Sequence, residues 1–174
     1  MLKDIEIARR LGADGVVFGC LTADGEVDLT SMQILMEASK GLSVTFHRAF
    51  DVCRNPQKAL EEIIELGCNR ILTSGQQPTA EQGIGLLKEL QGLAAGRITL
   101  LAGCGVNENN IAWIAAGTGI NEFHFSARES IQSEMKFRNE VVSMGGTVHI
   151  NEYERNVTSV RRVKETVEAL YKGM

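Results

Sequence analysis

Short apolar segments alternate with amphipathic ones along most of the chain, and one kind of joint links them. Arg10-Leu11-Gly12-Ala13-Asp14-Gly15, Glu65-Leu66-Gly67-Cys68-Asn69-Arg70 and Ala116-Gly117-Thr118-Gly119-Ile120-Asn121 each read as a helix end, a glycine stop and the start of a strand. The unit recurs at about 27 residues. Strands are expected at residues 15–19, 43–46, 70–73, 97–102 and 122–125. Helices are expected from Lys3 to Leu11, from the cap Asp28 to Gly41, and from Asn55-Pro56 to Gly67. Further helices should open near Thr79, at the cap Asn107, and near Asn156 or Thr158, the last running to Tyr171. Residues 126–151 read as irregular, and His149 within them carries no role.

Strands this short, alternating with helices, imply an α/β protein whose parallel sheet is covered on both faces. The regular repeat and the absence of a Gly-x-Gly-x-x-Gly fingerprint favour a (β/α)8 TIM-barrel type with about five βα units over a doubly wound sheet. A flavodoxin-like sheet of five strands also fits the strand count. At 174 residues, 44% hydrophobic and 23% charged, the chain suits one domain spanning 1–174. A net charge of −4 without a basic run argues against nucleic acid as a partner. The first ten residues mix charge with apolar side chains, as neither a signal core nor a membrane span does, so a cytoplasmic location and no membrane partner are expected. Cys20, Cys53, Cys68 and Cys104 are far apart in sequence and read as reduced thiols.

In a parallel barrel, ligands bind at the carboxyl ends of the strands. Val44-Thr45-Phe46-His47-Arg48-Ala49-Phe50-Asp51 delivers three ionisable groups where its strand stops. His47 or Asp51 could serve as acid or base, with Arg48 orienting an anionic or hydroxylated ligand. Arg48 and Asp51 could equally pair with each other across the loop. At the other tips stand Ser74 and Gly75, then Gly103, Cys104 and Gly105, then His124, Ser126 and Arg128. Glycines there would let backbone N–H groups approach a ligand oxygen, and the helix opening near Asn107 would add its positive end.

These tips, together with Met135-Lys136-Phe137-Arg138-Asn139, resemble the CutC family of copper homeostasis proteins over nearly the whole chain. The resemblance implies a cytoplasmic TIM barrel linked to copper handling. It also implies about three further βα units ahead of Met1, so the first and last strands of this chain would expose edges and favour self-association. Copper(I) suits thiolate and imidazole, and Cys20 and Cys104 fall at strand tips near His47 and His124, which makes the two cysteines the metal candidates. A different class of function, an enzyme acting on a small anionic or sugar-like metabolite, would rely on His47, Arg48 and Asp51 and ignore the thiols. The 135–139 stretch is expected to be either a lid over the barrel mouth or plain surface.

Overall fold

The computed structural model describes residues 1–139, 141–148 and 150–172; His149 lies outside the described residues. Five strands form one parallel sheet in sequential order: β1 (Gly15–Phe18), β2 (Ser43–Phe46), β3 (Arg70–Thr73), β4 (Thr99–Gly103) and β5 (Glu122–His124). Helices alternate with them: α1 (Leu2–Arg10), α2 (Leu29–Ala38), α3 (Pro56–Glu65), α4 (Ile84–Ala94) and α5 (Ile111–Thr118). A hairpin, β6 (Arg128–Gln132) with β7 (Glu154–Thr158), and a final helix α6 (Val160–Lys172) complete the order.

The sequential strand order decides the architecture. Right-handed crossovers that always step in one direction leave every connecting helix on the same face, giving the wall of a barrel rather than a doubly wound sheet. Burial follows from that. Val44, Phe46, Ile71, Leu100 and Ala102 point to the helices and are buried. They meet Met32 and Leu35 of α2, Leu60 and Ile63 of α3, Leu87 and Leu90 of α4, and Ile111 and Ile114 of α5 in one continuous core. The alternate residues form a concave face that no helix covers, where Val17 is 61% exposed. Coverage of both faces, expected from the sequence, is therefore not found in the described residues. Across this face Arg70 Nε donates to Glu122 Oε2 at 2.7 Å and Arg70 also reaches Ser43 Oγ at 3.2 Å, so the polar residues of the strand starts satisfy one another.

Local chemistry sets the helix starts. The Asp28 carboxylate accepts from Ser31 N–H at 3.0 Å, and Asn55 Oδ1 accepts from Lys58 N–H at 3.0 Å with Pro56 at the first helical position. Two expected starts move. Thr79 closes only a turn, accepting from Gln82 N–H, and α4 begins at Ile84. Asn107 accepts from Asn109 N–H, while its own N–H is bound by Asn110 Oδ1, so α5 begins at Ile111. The stretch read as irregular contains the paired hairpin. Within it Phe137 is 71% exposed and Arg138 stacks on Tyr153 at 4.4 Å, which makes residues 135–139 surface rather than a lid.

Candidate functional site

After Phe46 the chain turns at once into a 3₁₀ turn, Arg48–Val52, with His47 as its cap. His47 Nδ1 accepts from Ala49 N–H at 3.2 Å, which puts the proton of the neutral ring on Nε2. A Cβ on Gly19 would lie 2.8 Å from that Nδ1, so the glycine after β1 is what lets the imidazole settle there.

Asp51 sits one turn on and is saturated with donors. Its carboxylate accepts from Thr73 Oγ1 at 2.5 Å, Ser74 N–H at 3.0 Å, Ser74 Oγ at 3.0 Å and Gln76 N–H at 3.2 Å. Arg48 Nε adds a charge-assisted bond at 2.6 Å. The loop that receives it runs through Gly75 and Gln76 at φ values of 70° and 56°. Gly75 is required there, since a Cβ would fall 2.5 Å from Gly83 O. The Ser74 and Gln76 N–H groups of the loop that the sequence suggests as a ligand cradle thus hold the carboxylate of the neighbouring tip, while the Gly75 N–H donates to Thr73 Oγ1.

Arg48 is steered by this arrangement. With Nε on Asp51 and one terminal nitrogen on Ser74 Oγ at 2.9 Å, its guanidinium extends past β3 toward Cys104. Asp51 first, and Cys104 after it, raise the Arg48 pKa above its ordinary value. There a cleft of about 380 Å³ opens between the β4 and β5 tips. Arg48, Cys104 and the Gly105–Asn107 turn form one side; His124, Ser126 and Arg128 form the other, with Leu72 beneath. No acidic residue is among the described residues that line it. Gly103 leaves room for this wall, because a Cβ would lie 2.6 Å from Leu72 Cδ1 and 3.3 Å from His124 Cβ.

The sequence expectation missed Arg162 of α6, which also lines the cleft. Its Nε and one terminal nitrogen grip the Glu108 carboxylate at 3.0 and 3.1 Å, and its other terminal nitrogen donates to the Arg128 carbonyl. That pairing holds Glu108 below its ordinary pKa. It also ties α6 to the start of the hairpin and to the turn before α5. The only sequence signal was the placement of a cation in the first turn of the last helix, where a macrodipole gives no reason for one. Arg128 differs: its guanidinium has no hydrogen bond or ion pair to any described residue.

The structure brings Arg48, Cys104, Gly105, His124, Ser126 and Arg128 to one cleft and leaves His47, Asp51, Ser74, Gly75 and Gly103 behind its wall or on the β1 side. Cys20 stands at the β1 tip, three strand spacings from Cys104, about 14 Å along the sheet. Thiolates sharing one ion lie within about 5 Å, twice a metal–sulfur bond. Among the described residues no group of three or more His, Cys, Asp or Glu side chains is placed to hold a metal ion. Burial first, and Asp28 after it, push the Cys20 thiol up, and burial raises Cys53 as well. Cys104 donates to Pro78 O at 3.0 Å. A wider groove of about 560 Å³ lies at the opposite, amino ends of the strands, where Lys40 and Glu37 already pair at 2.7 Å. No helix among the described residues is long and apolar enough to cross a membrane.

Comparison with known proteins agrees with this architecture. The family model described as CutC family matches residues 1–129. A family protein CutC of Bacteroides thetaiotaomicron is 76% identical over 170 residues, 98% of this chain and 68% of the relative. One from Bacteroides fragilis is 74% identical over the same shares. The chain therefore spans about two thirds of the length of these relatives. Among solved structures, the putative copper homeostasis protein CutC from Streptococcus agalactiae superposes with a TM-score of 0.68 at 32% identity, over 71% of this chain and 60% of that one. A structure named native KDPGal matches 99% of this chain with a TM-score of 0.57 at 16% identity, a likeness of fold alone.

Proposed function

The chain belongs to the CutC family, and on that premise we propose that it serves copper homeostasis, as the name of the Streptococcus agalactiae relative says of that protein, through a cleft that binds a small anionic ligand. One observation carries the cleft reading: Arg48, Arg128 and His124 converge on about 380 Å³ with no acidic residue among the described lining. Positive groups gathered in a concave site with low-dielectric walls raise the local concentration of anions. In this reading Arg128 is the free cation, Arg48 is aimed by Asp51, and His47 and Asp51 support the rim without touching the ligand. A cytoplasmic setting fits four free thiols. The open edges at β1 and β5 favour self-association of this chain.

The test is a thermal-shift screen of small phosphates, carboxylates and sugar acids against the intact chain. Stabilisation by an anion that disappears in Arg48→Gln and Arg128→Gln, but survives in Cys20→Ala, is the expected result. Anions that stabilise the Arg48→Gln and Arg128→Gln variants as well as the intact chain would overturn it.

A second reading has its own observation. Cys104 and His124 line the same cleft from adjacent strands, and a thiolate with an imidazole is a soft pair suited to copper(I). An anaerobic copper(I) titration against a competing chelator distinguishes the two: binding lost in both Cys104→Ala and His124→Ala, yet indifferent to Arg128→Gln, would favour this second reading. Copper(I) binding that needs Cys20 as well would contradict this second reading.

A further inference from the structure

Two neighbouring carbonyls at the cleft wall are tied down, and their partners across the peptide bonds are not. The Cys104 carbonyl accepts from Ala80 N–H at 3.0 Å. The Gly105 carbonyl accepts from Asn107 Nδ2 and Asn110 Nδ2, both at 2.9 Å. In a trans peptide the N–H points opposite to the preceding C=O. The Gly105 N–H therefore faces away from Ala80, and the Val106 N–H faces away from Asn107 and Asn110. Neither N–H has an acceptor among the described residues; Gly105 is exposed, Val106 is only 6% exposed, and both residues line the cleft. A buried donor left without an acceptor is costly, so the Val106 N–H calls for a partner, water or ligand, that reaches it from the cleft.

The backbone conformation that aims these donors is itself unusual. Cys104 and Gly105 both lie at positive φ, 78° and 74°, a region that a non-glycine residue such as Cys104 seldom adopts. Arg128 lines the same cleft, and its guanidinium fork is unengaged by any described residue. The other two cleft arginines carry their own counter-charges, Arg48 from Asp51 at 2.6 Å and Arg162 from Glu108 at 3.0 Å. The uncompensated charge of the cleft is thus concentrated at Arg128, which lines the same cleft as the two N–H groups.

Resting on the anion-binding reading of the cleft, we infer that the Gly105 and Val106 N–H groups and the Arg128 guanidinium form a seat for a phosphoryl group, so that the ligand is a phosphate monoester. The group's three terminal oxygens match this donor set: the guanidinium fork takes two in bidentate fashion and the paired N–H groups take the third. A carboxylate, with two oxygens in one plane, engages either the fork or the N–H pair and leaves the other donors unmatched. The remainder of the ligand extends from this seat toward Arg48 and Cys104.

The test is amide correlation NMR on the intact chain with glycerol 3-phosphate and, in parallel, glycerate, which replaces the phosphoryl group by a carboxylate. Glycerol 3-phosphate is expected to shift the Gly105 and Val106 amides saturably, and Arg128→Gln to weaken that binding about tenfold, the share of a charge-assisted contact. Cys20→Ala serves as a folded control with unchanged affinity. Glycerate moving the same amides at equal concentration would overturn the phosphoryl assignment while leaving the anion-binding cleft in place. Shifts confined to His124 and Arg48 would overturn the Gly105–Val106 seat alone. Silence of every cleft amide to both compounds would overturn the seat and the anion reading together.

Discussion

At the scale of the residue, Asp51 carries the rim. It joins the β2 tip to the β3 tip through Thr73, Ser74 and Gln76 and aims Arg48 into the cleft. Replacing it with Ala leaves buried donors and a partly buried guanidinium without their acceptor, and the expected cost is about 3 kcal/mol or more in urea unfolding. A variant within about 0.5 kcal/mol of the parent, the range of ordinary surface substitutions, would contradict this role. Cys68 gives a second prediction. Burial raises its thiol from the ordinary 9.0 to about 11, so the folded chain holds that proton more tightly than the unfolded one. The stability this contributes is fully present below pH 9 and is lost as pH rises toward 11. Cys68→Ser or Cys68→Ala should flatten the alkaline limb of a stability-against-pH curve, and an unchanged limb would contradict the assignment. The candidate residues at the β2, β4 and β5 tips were legible in sequence by position, because each follows a recognisable strand, whereas Arg162 of α6 was not. Their division of labour was not. That Asp51 takes the donors of Thr73, Ser74 and Gln76, and that Ala80, Asn107 and Asn110 take the Cys104 and Gly105 carbonyls, are contacts between separate loops that no local pattern encodes.

At the scale of the element, caps and joints were read correctly where a single side chain decides them. Asn55→Ala removes the acceptor for Lys58 N–H at the start of α3 and should cost about 1 kcal/mol, measured by thermal or urea unfolding. The starts of α4 and α5 were misplaced because Thr79 and Asn107 spend their side chains on turns of their own. The hairpin escaped because its pairing joins residues more than twenty positions apart, with Arg128 opposite Thr158, and its strands are polar on both faces. Arg162 ties that hairpin to the turn before α5, donating to the Arg128 carbonyl while it pairs with Glu108. Glu108 is held below its ordinary pKa, so this link is intact above about pH 4.5 and weakens as pH falls and the carboxylate takes up a proton. In Arg162→Ala, hydrogen exchange should quicken in 128–132 and 154–158 while β2 and β3 keep their protection. Equal exchange in the hairpin would show that the link is not what holds it.

At the scale of the whole molecule, the sequential sheet follows from the repeat of strand, helix and glycine joint, and that part of the fold was legible throughout. Coverage of the sheet was not, because alternation fixes which residues share a face but not whether anything lies against it. The exposed concave face and the two edge strands favour association of the chain with itself. Sedimentation should therefore depend on concentration, and Val17→Lys should reduce the associated fraction; a chain monomeric at all concentrations would contradict this.

An anion bound in the cleft would sit beside Cys104 and shield its thiol. Alkylation rates of individual cysteines, followed by mass spectrometry with and without an anion that stabilises the chain, test it most directly, because Cys104 and Cys20 are both partly exposed and only Cys104 lines the cleft. The anion should slow alkylation of Cys104 several-fold and leave Cys20 unchanged. An unprotected Cys104, or equal protection of both thiols, would contradict it.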